Sequence, residues 1–232
     1  MRGKIVAGNI YHVLNRGVDR RKVFQEEVDY VRFIHDLFEF NDESPASNLN
    51  YVFSKGKQYL EVGLPNIRKE RKLLVEILAF TLMPNHFHIL IRPRSDDALA
   101  KFMQKLSTGY TNYFNSKYKR VGALFSGKYK SIGVAKDAHL LHLPYYIHCN
   151  PLDLSSPEWR DREMKNPQKA IDFLKSYRWS SHLDYCGIKN FPSVTQRDFL
   201  LKFFGGSDGY KKDIEEWLRD FDSTIVEDVA LE

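Results

Sequence analysis

Apolar residues follow two different spacings along this chain. Ile5 to Asn15 forms an extended apolar-rich run that ends at Arg16-Gly17, and reads as a strand with its exit turn. Glu26 to Phe40 sets Val28, Val31, Ile34, Leu37 and Phe38 near one helical face. Val75 to Leu82 is almost wholly apolar and predicts a buried strand; Met83-Pro84-Asn85 turns the chain, and His86 to Ile91 returns until Pro93 stops it. A long helix is expected from Ala98 to about Tyr118, capped by Asp96 and Asp97, with Leu99, Phe102, Met103, Leu106, Tyr110, Tyr113 and Phe114 on its apolar face. Leu124 to Val134 reads as extended, and Asp137 to His148 as a helix ended by Asn150-Pro151. Beyond Pro151 the pattern is polar and helical over 166–177, 195–204 and 207–220, with Gly205-Gly206 breaking the last two. Asn41 to Asn50 reads as loop, and Tyr51 to Leu64 as a short hairpin turning at Ser54-Lys55-Gly56-Lys57.

The order is β-α-β-β-α-β-α, with antiparallel pairs in place of regular βαβ repeats, which favours α+β. The simplest arrangement is a ferredoxin-like split βαβ antiparallel sheet with helices mainly on one face, plus a C-terminal helical extension. We divide the chain into a domain at 1–152, with a long extra stretch near 41–72, and an extension at 153–232.

With 232 residues, 43% hydrophobic and 14% aromatic, the chain can bury a sizeable core, which excludes wholesale disorder. Its longest apolar stretches, such as Phe87 to Ile91, are too short to span a bilayer, and no secretory h-region follows Met1. Two cysteines, Cys149 and Cys186, are too few for a disulfide framework and point to the reducing cytosol.

Charge changes the picture more by position than by its total of +5. Ala98 to Lys136 holds eight basic residues and no acid, with seven aromatics interleaved. Cations neutralise phosphates and flat rings stack unpaired bases, so the span suits a nucleic-acid strand as well as a solvated face over an aromatic core. Asp213 to Glu232 reverses the sign, with eight acids against Arg219 alone; it reads either as a solvated helix or as a competitor for the basic groove.

Candidate chemistry lies in two short segments. In His86-Phe87-His88 strand alternation puts both imidazoles on one face, where they can meet one divalent cation or simply be structural. In Tyr146-Ile147-His148-Cys149-Asn150 the phenol and the amide are four apart and share a helical face; the alternative is a core tyrosine and a capping asparagine before Pro151. Tyr145 is adjacent to Tyr146, and the spacing to Asn150 favours the latter.

Pro84-Asn85-His86-Phe87-His88-Ile89-Leu90 resembles the histidine-hydrophobe-histidine (HUH) motif of single-tyrosine transposases of insertion-sequence-200-like type, above all the REP-associated tyrosine transposases. Tyr11-His12-Val13 with Asn15-Arg16-Gly17, Ser107 to Arg120, Gly127 to Ser131, Tyr146 to Pro151 and Tyr177 to Ser181 are similar to further family segments, in family order. The resemblance covers roughly residues 5 to 187. It implies His86 and His88 as metal ligands, Asn150 as the third, Tyr146 as nucleophile and Mg²⁺ or Mn²⁺ as the ion. It further implies cleavage and rejoining of single-stranded DNA at hairpin sites through a 5′-phosphotyrosine. No nucleotide cofactor is expected, in keeping with the lack of a phosphate-cradling Gly-x-x-x-x-Gly-Lys-[Ser/Thr] loop. Lys101, Lys105, Lys117, Lys119, Arg120, Lys128 and Lys130 are expected to hold the DNA backbone, flanked by Arg16, Arg20 and Arg21. A phenol needs help to lose its proton, and His148, Lys128 and Lys130 are candidate bases. His12, His35, His139, His142 and His182 are scattered and read as structural or surface residues. A monomer is expected rather than a homodimer, in the cytoplasm and on the nucleoid. The competing classes are a non-catalytic hairpin-DNA binder and a metal-dependent phosphodiesterase without a covalent step.

Overall fold

The computed structural model describes residues 4–45, 71–161, 164, 166–220 and 229–230. The hairpin expected at Tyr51 to Leu64 lies outside them, as does most of the stretch at 41–72.

Four strands, β1 (Ile10–Arg16), β2 (Val75–Met83), β3 (His86–Pro93) and β4 (Lys130–Val134), form one sheet in the order β2-β3-β1-β4. Every neighbouring pair is antiparallel. With α1 (Glu27–Glu39) between β1 and β2, and α2 (Ala98–Lys117) between β3 and β4, this is the expected α+β sheet in split βαβ arrangement. Three further elements pack on it: α3 (Asp137–Cys149), α4 (Pro167–Ser176) and α7 (Gly206–Asp220), with short α5 (His182–Tyr185) and α6 (Asp198–Phe203) between the last two.

The helices are not gathered mainly on one face. Tyr11, Val13, Phe80, Phe87 and Ile89 point to α1 and α2, forming one core with Phe33, Leu37, Phe102, Leu106 and Tyr110. Leu78, Ala79 and Leu90 point the other way, into a second core with Leu143, Ile147, Ile171, Tyr210 and Trp217. Both sheet faces are apolar enough to need cover, and the helices beyond β4 supply it for the second. The residues after 152 are therefore part of this second core. In β2 the register shifts between Ile77 and Ala79, so Leu78 is an extra residue in a β-bulge.

Several boundaries move for local reasons. Asp97 precedes α2 without capping it: its carboxylate accepts from Ser95 and pairs with Lys101. Asp96 instead accepts from the Ala7 N–H at 2.9 Å. The extended reading from Leu124 shortens to β4 because Gly122 and Gly127 sit at positive φ (87° and 79°), turning the chain twice before it joins the sheet. Within the acidic run, 213–220 belongs to α7, where Ile214, Trp217 and Leu218 are buried. That part is a packed amphipathic helix, and 221–228 lie outside the described residues.

Candidate active site

β1 and β3 place the first group of side chains. Strand alternation gives His86, His88 and Leu90 one face of β3, and the register puts Arg16 opposite His86 and Leu14 opposite His88. His12, Leu14 and Arg16 thus share the face of the histidine pair. The His86 and His88 rings stand edge-to-face with centroids 5.0 Å apart. His12 stacks on His88 at 5.1 Å, and its Nε2 lies 2.9 Å from His88 Nδ1.

α3 crosses this face and brings the second group. Leu143, Tyr145, Tyr146, Ile147 and Cys149 are all buried, so the helix is apolar nearly all round. Its two tyrosines diverge. Tyr145 points to the C-terminal helices, stacking on Tyr210 and donating to Asp213 at 3.2 Å. Tyr146 points to the histidines, its ring centroid 6.4 Å from His88 and 6.5 Å from His12. Asn150, one turn on, donates through Nδ2 to the Tyr146 carbonyl at 2.8 Å, which fixes its amide orientation. It therefore terminates the helix and also keeps Oδ1 on the Tyr146 side.

The turn at Asn150–Leu154 and the next at Pro157–Asp161 fold back and add a group that the sequence did not announce. Arg160 donates from Nη1 to the Tyr146 hydroxyl and from Nη2 to Asn150 Oδ1, both at 3.0 Å. Asp153 steadies the guanidinium through Nε and Nη2, each at 2.8 Å, and Arg160 lies over the Trp159 ring. Buried and paired in this way, Arg160 is held even more firmly protonated than usual: burial disfavours its charge, but Asp153 and Tyr146 outweigh it.

The imidazoles are neutral. Burial, with the nearby Arg16 charge, takes His86 down to about 4; burial takes His12 to about 4 and His88 well below its ordinary value. Such nitrogens are ready to donate lone pairs. His88 Nε2 is buried and finds no hydrogen-bond partner among the described residues, although such an orphan normally costs stability. No cluster of three or more His, Cys, Asp or Glu side chains suited to a metal occurs among the described residues. The available donor set is therefore mixed, two imidazoles and the Asn150 amide oxygen, a combination that suits a borderline or hard divalent ion.

The expected DNA-binding residues divide. Arg16, Arg20, Lys128 and Lys130 line one cleft with Leu14, Asn15 and Ser126. It adjoins the histidines through Arg16, the partner of His86, and Lys130, which pairs with Leu14. Arg21 lies beside it, bonding the Val18 carbonyl and Asp19. The residues of α2 are engaged elsewhere. Lys101 pairs with Asp97, the Lys105 ammonium bonds the Asp42 and Ser44 carbonyls, and Lys117 pairs with Glu26 and buried Asp29. Arg120 donates to Asn115 and lies over Phe114. Lys119, at φ 50°, lies in the turn after α2. The acid-free span is thus acid-free only in sequence, since Asp97, Glu26 and Asp29 supply the acids in space.

Among the candidate bases, His148 lies away from Tyr146. Its ring bonds Tyr210 and Ser181, both at 2.7 Å, and burial holds it neutral. His12 is the opposite case: it reads as a bystander in the sequence, yet touches His88. No local signal marks it, because the contact joins residues 76 apart.

Residues 51–150 match the family model described as transposase IS200-like. The matched segment contains His86, His88, Tyr146 and Asn150, so the motif resemblance and the family match coincide on the same residues. His12, Asp153 and Arg160 fall outside the IS200-like segment. No curated protein sequence matches the chain. A similar solved structure is that of a REP-associated tyrosine transposase bound to a REP hairpin: 13% identity, 67% of this chain and 73% of the other covered, TM-score 0.46. No described helix is long and apolar enough to cross a membrane.

Proposed function

We propose that this protein cuts and rejoins single-stranded DNA, with the Tyr146 hydroxyl attacking a phosphodiester at His86, His88 and Asn150. The observation behind this reading is a convergence. The phenol at the end of α3 faces His88, which packs edge-to-face with His86, while Arg160 ties the phenol to the Asn150 amide, and the cleft lined by Arg16, Arg20, Lys128 and Lys130 adjoins through Arg16. The orphaned His88 Nε2 and the Asn150 oxygen fit Mg²⁺ or Mn²⁺, which when bound would polarise the scissile phosphate.

The chain's own groups do the rest. Tyr146 oxygen forms a bond to phosphorus as the bond to the 3′ oxygen breaks, leaving a 5′-phosphotyrosine and a free 3′-OH. Arg160 holds the phenol oxygen from one side and offsets negative charge gathering there and on the phosphate. Attack by another 3′-OH reverses the step, so the link conserves the bond and no nucleotide is consumed. Arg16, Arg20, Lys128 and Lys130 bind the backbone of the incoming strand. A hairpin as substrate follows from the resemblance of the ordered motifs to the REP-associated branch. Tyr146, Asn150, His86 and His88 lie on neighbouring elements of one chain, so a monomer could carry the chemistry.

The test is incubation with labelled hairpin oligonucleotides and Mn²⁺, resolved on denaturing gels. Wild-type protein is expected to retain label covalently, and Tyr146→Phe and His86→Ala to lose both adduct and cleavage. A phosphodiesterase without a covalent step would keep cleaving as Tyr146→Phe, and a pure binder would leave the strand intact.

A further inference from the structure

His12 and the carbonyl of Val229 form, with His88, a chain of buried hydrogen bonds whose direction can be worked out. His12 Nδ1 lies 2.6 Å from the Val229 oxygen, which can only accept, so His12 carries its proton on Nδ1. Both rings are wholly buried and neither is hydrogen-bonded to a carboxylate among the described residues, so neither carries a charge, and His12 Nε2 holds a lone pair and must accept. The 2.9 Å contact to His88 then requires the His88 proton on Nδ1. That leaves the His88 Nε2 lone pair directed away from the relay, on the nitrogen that has no other partner among the described residues. His86 reaches the same state differently. Its Nδ1 lies 2.6 Å from Asn85 Oδ1, and the Asn85 amide is oriented by donating Nδ2 to the Arg20 carbonyl.

We infer that His12 is a positioning residue: fixed by the Val229 carbonyl, it locks His88 in the Nδ1–H tautomer and so presents Nε2 to a divalent cation. The inference rests on the metal-site reading above, but the tautomer is a property of the metal-free protein. It ties the end of the described chain to the sheet face across 217 residues of sequence. Partners that orient a ligating histidine typically govern metal affinity by about 10- to 100-fold.

The experiment uses the full chain. In metal-free protein labelled with ¹⁵N-histidine, long-range ¹H–¹⁵N spectra at pH 7.5 report which ring nitrogen bears the proton. His12 and His88 are expected as Nδ1–H tautomers. His12→Leu removes the acceptor, and is expected to let His88 populate both tautomers and to weaken Mn²⁺ binding by about 10- to 100-fold. His12→Gln, which offers an amide oxygen to His88, is expected to restore much of both. Thermal melts of each variant separate misfolding from mispositioning. A wild-type His88 protonated on Nε2, or a folded His12→Leu with wild-type tautomer and Mn²⁺ affinity, overturns the inference. Failure of the metal-site reading looks different: His88→Ala would bind Mn²⁺ as tightly as wild type while the spectra still showed the locked tautomer.

Discussion

Arg160 touches the two groups at the end of α3 on which the proposed chemistry rests, and a lysine cannot replace it. A guanidinium reaches the Tyr146 hydroxyl and Asn150 Oδ1 with two separate nitrogens while a third holds Asp153, whereas an ammonium is a single point donor. Arg160→Lys is therefore expected to slow adduct formation by about 10- to 100-fold, the loss of one charged hydrogen bond at roughly 1.5–3 kcal/mol, with the melting temperature nearly unchanged. Single-turnover rates on a labelled hairpin check it; a wild-type rate would remove Arg160 from the mechanism. His86, His88, Tyr146 and Asn150 stand out as candidates in the sequence because spacing within one strand or one helix marks them. Arg160 and His12 carry no such mark. One lies within a proline-led turn without periodicity, and the other occupies an ordinary alternate position in a strand.

At the scale of elements, α1 and α2 are held together by a buried acid and a close approach. Asp29, in the first turn of α1, accepts from Lys117 at 2.7 Å, Tyr118 at 2.7 Å, Tyr113 at 2.9 Å and the Gln25 N–H at 2.8 Å. Burial raises its pKa, but these donors outweigh it and hold the carboxyl below its ordinary value. Asp29→Ala strands Lys117 and two phenols, and is expected to cost about 2–4 kcal/mol in urea unfolding. Lys117→Ala should likewise lower stability, leaving DNA affinity almost untouched. Gly109 faces Phe40 so closely that an added Cβ would lie 2.4 Å from the ring. Gly109→Ala should thus destabilise by about 1–3 kcal/mol, although alanine is the better helix former. Strand and helix positions were readable from periodicity, which is a local property. What α2 packs against is not local, so its lysines looked free for DNA until α1 was set beside them.

For the whole molecule, charge and burial give two bulk signatures. Binding to single-stranded DNA should weaken steeply with salt, and Lys128→Ala/Lys130→Ala should flatten the slope of log affinity against log salt by roughly 1.4, about 0.7 per lost phosphate contact. Fluorescence anisotropy at several salt concentrations measures it. Buried histidines set the acid limit of the fold. Burial takes His182 to about 4 and keeps His148 well below its ordinary 6.5. Between those values the unfolded chain binds protons that the folded chain refuses, so stability is full above about pH 6.5 and declines toward pH 4. The expected loss is roughly 1.4 kcal/mol per pH unit for each such histidine, read as a lower urea midpoint at pH 5.0 than at pH 7.5. Both histidines belong to the second core, which meets the first only across the sheet. There the extra residue in β2 has a consequence for heredity. Past Leu78 the odd-even assignment of side chains to the two cores is inverted, so Phe80 and Leu82 join Ile77 beneath α1 and α2. Loss of that one codon would leave Ile77, Ala79 and Phe80 in regular alternation opposite Ile91, Leu90 and Ile89, whereas one codon gained between Ala79 and Phe80 would turn Phe80 and Leu82 toward α3 and force Thr81 and Met83 among the aromatics opposite. A frame of two is kept in space here as a frame of three is kept in the gene, and a codon gained between Ala79 and Phe80 should be purged more strictly than loss of the codon for Leu78, which only heals the ladder.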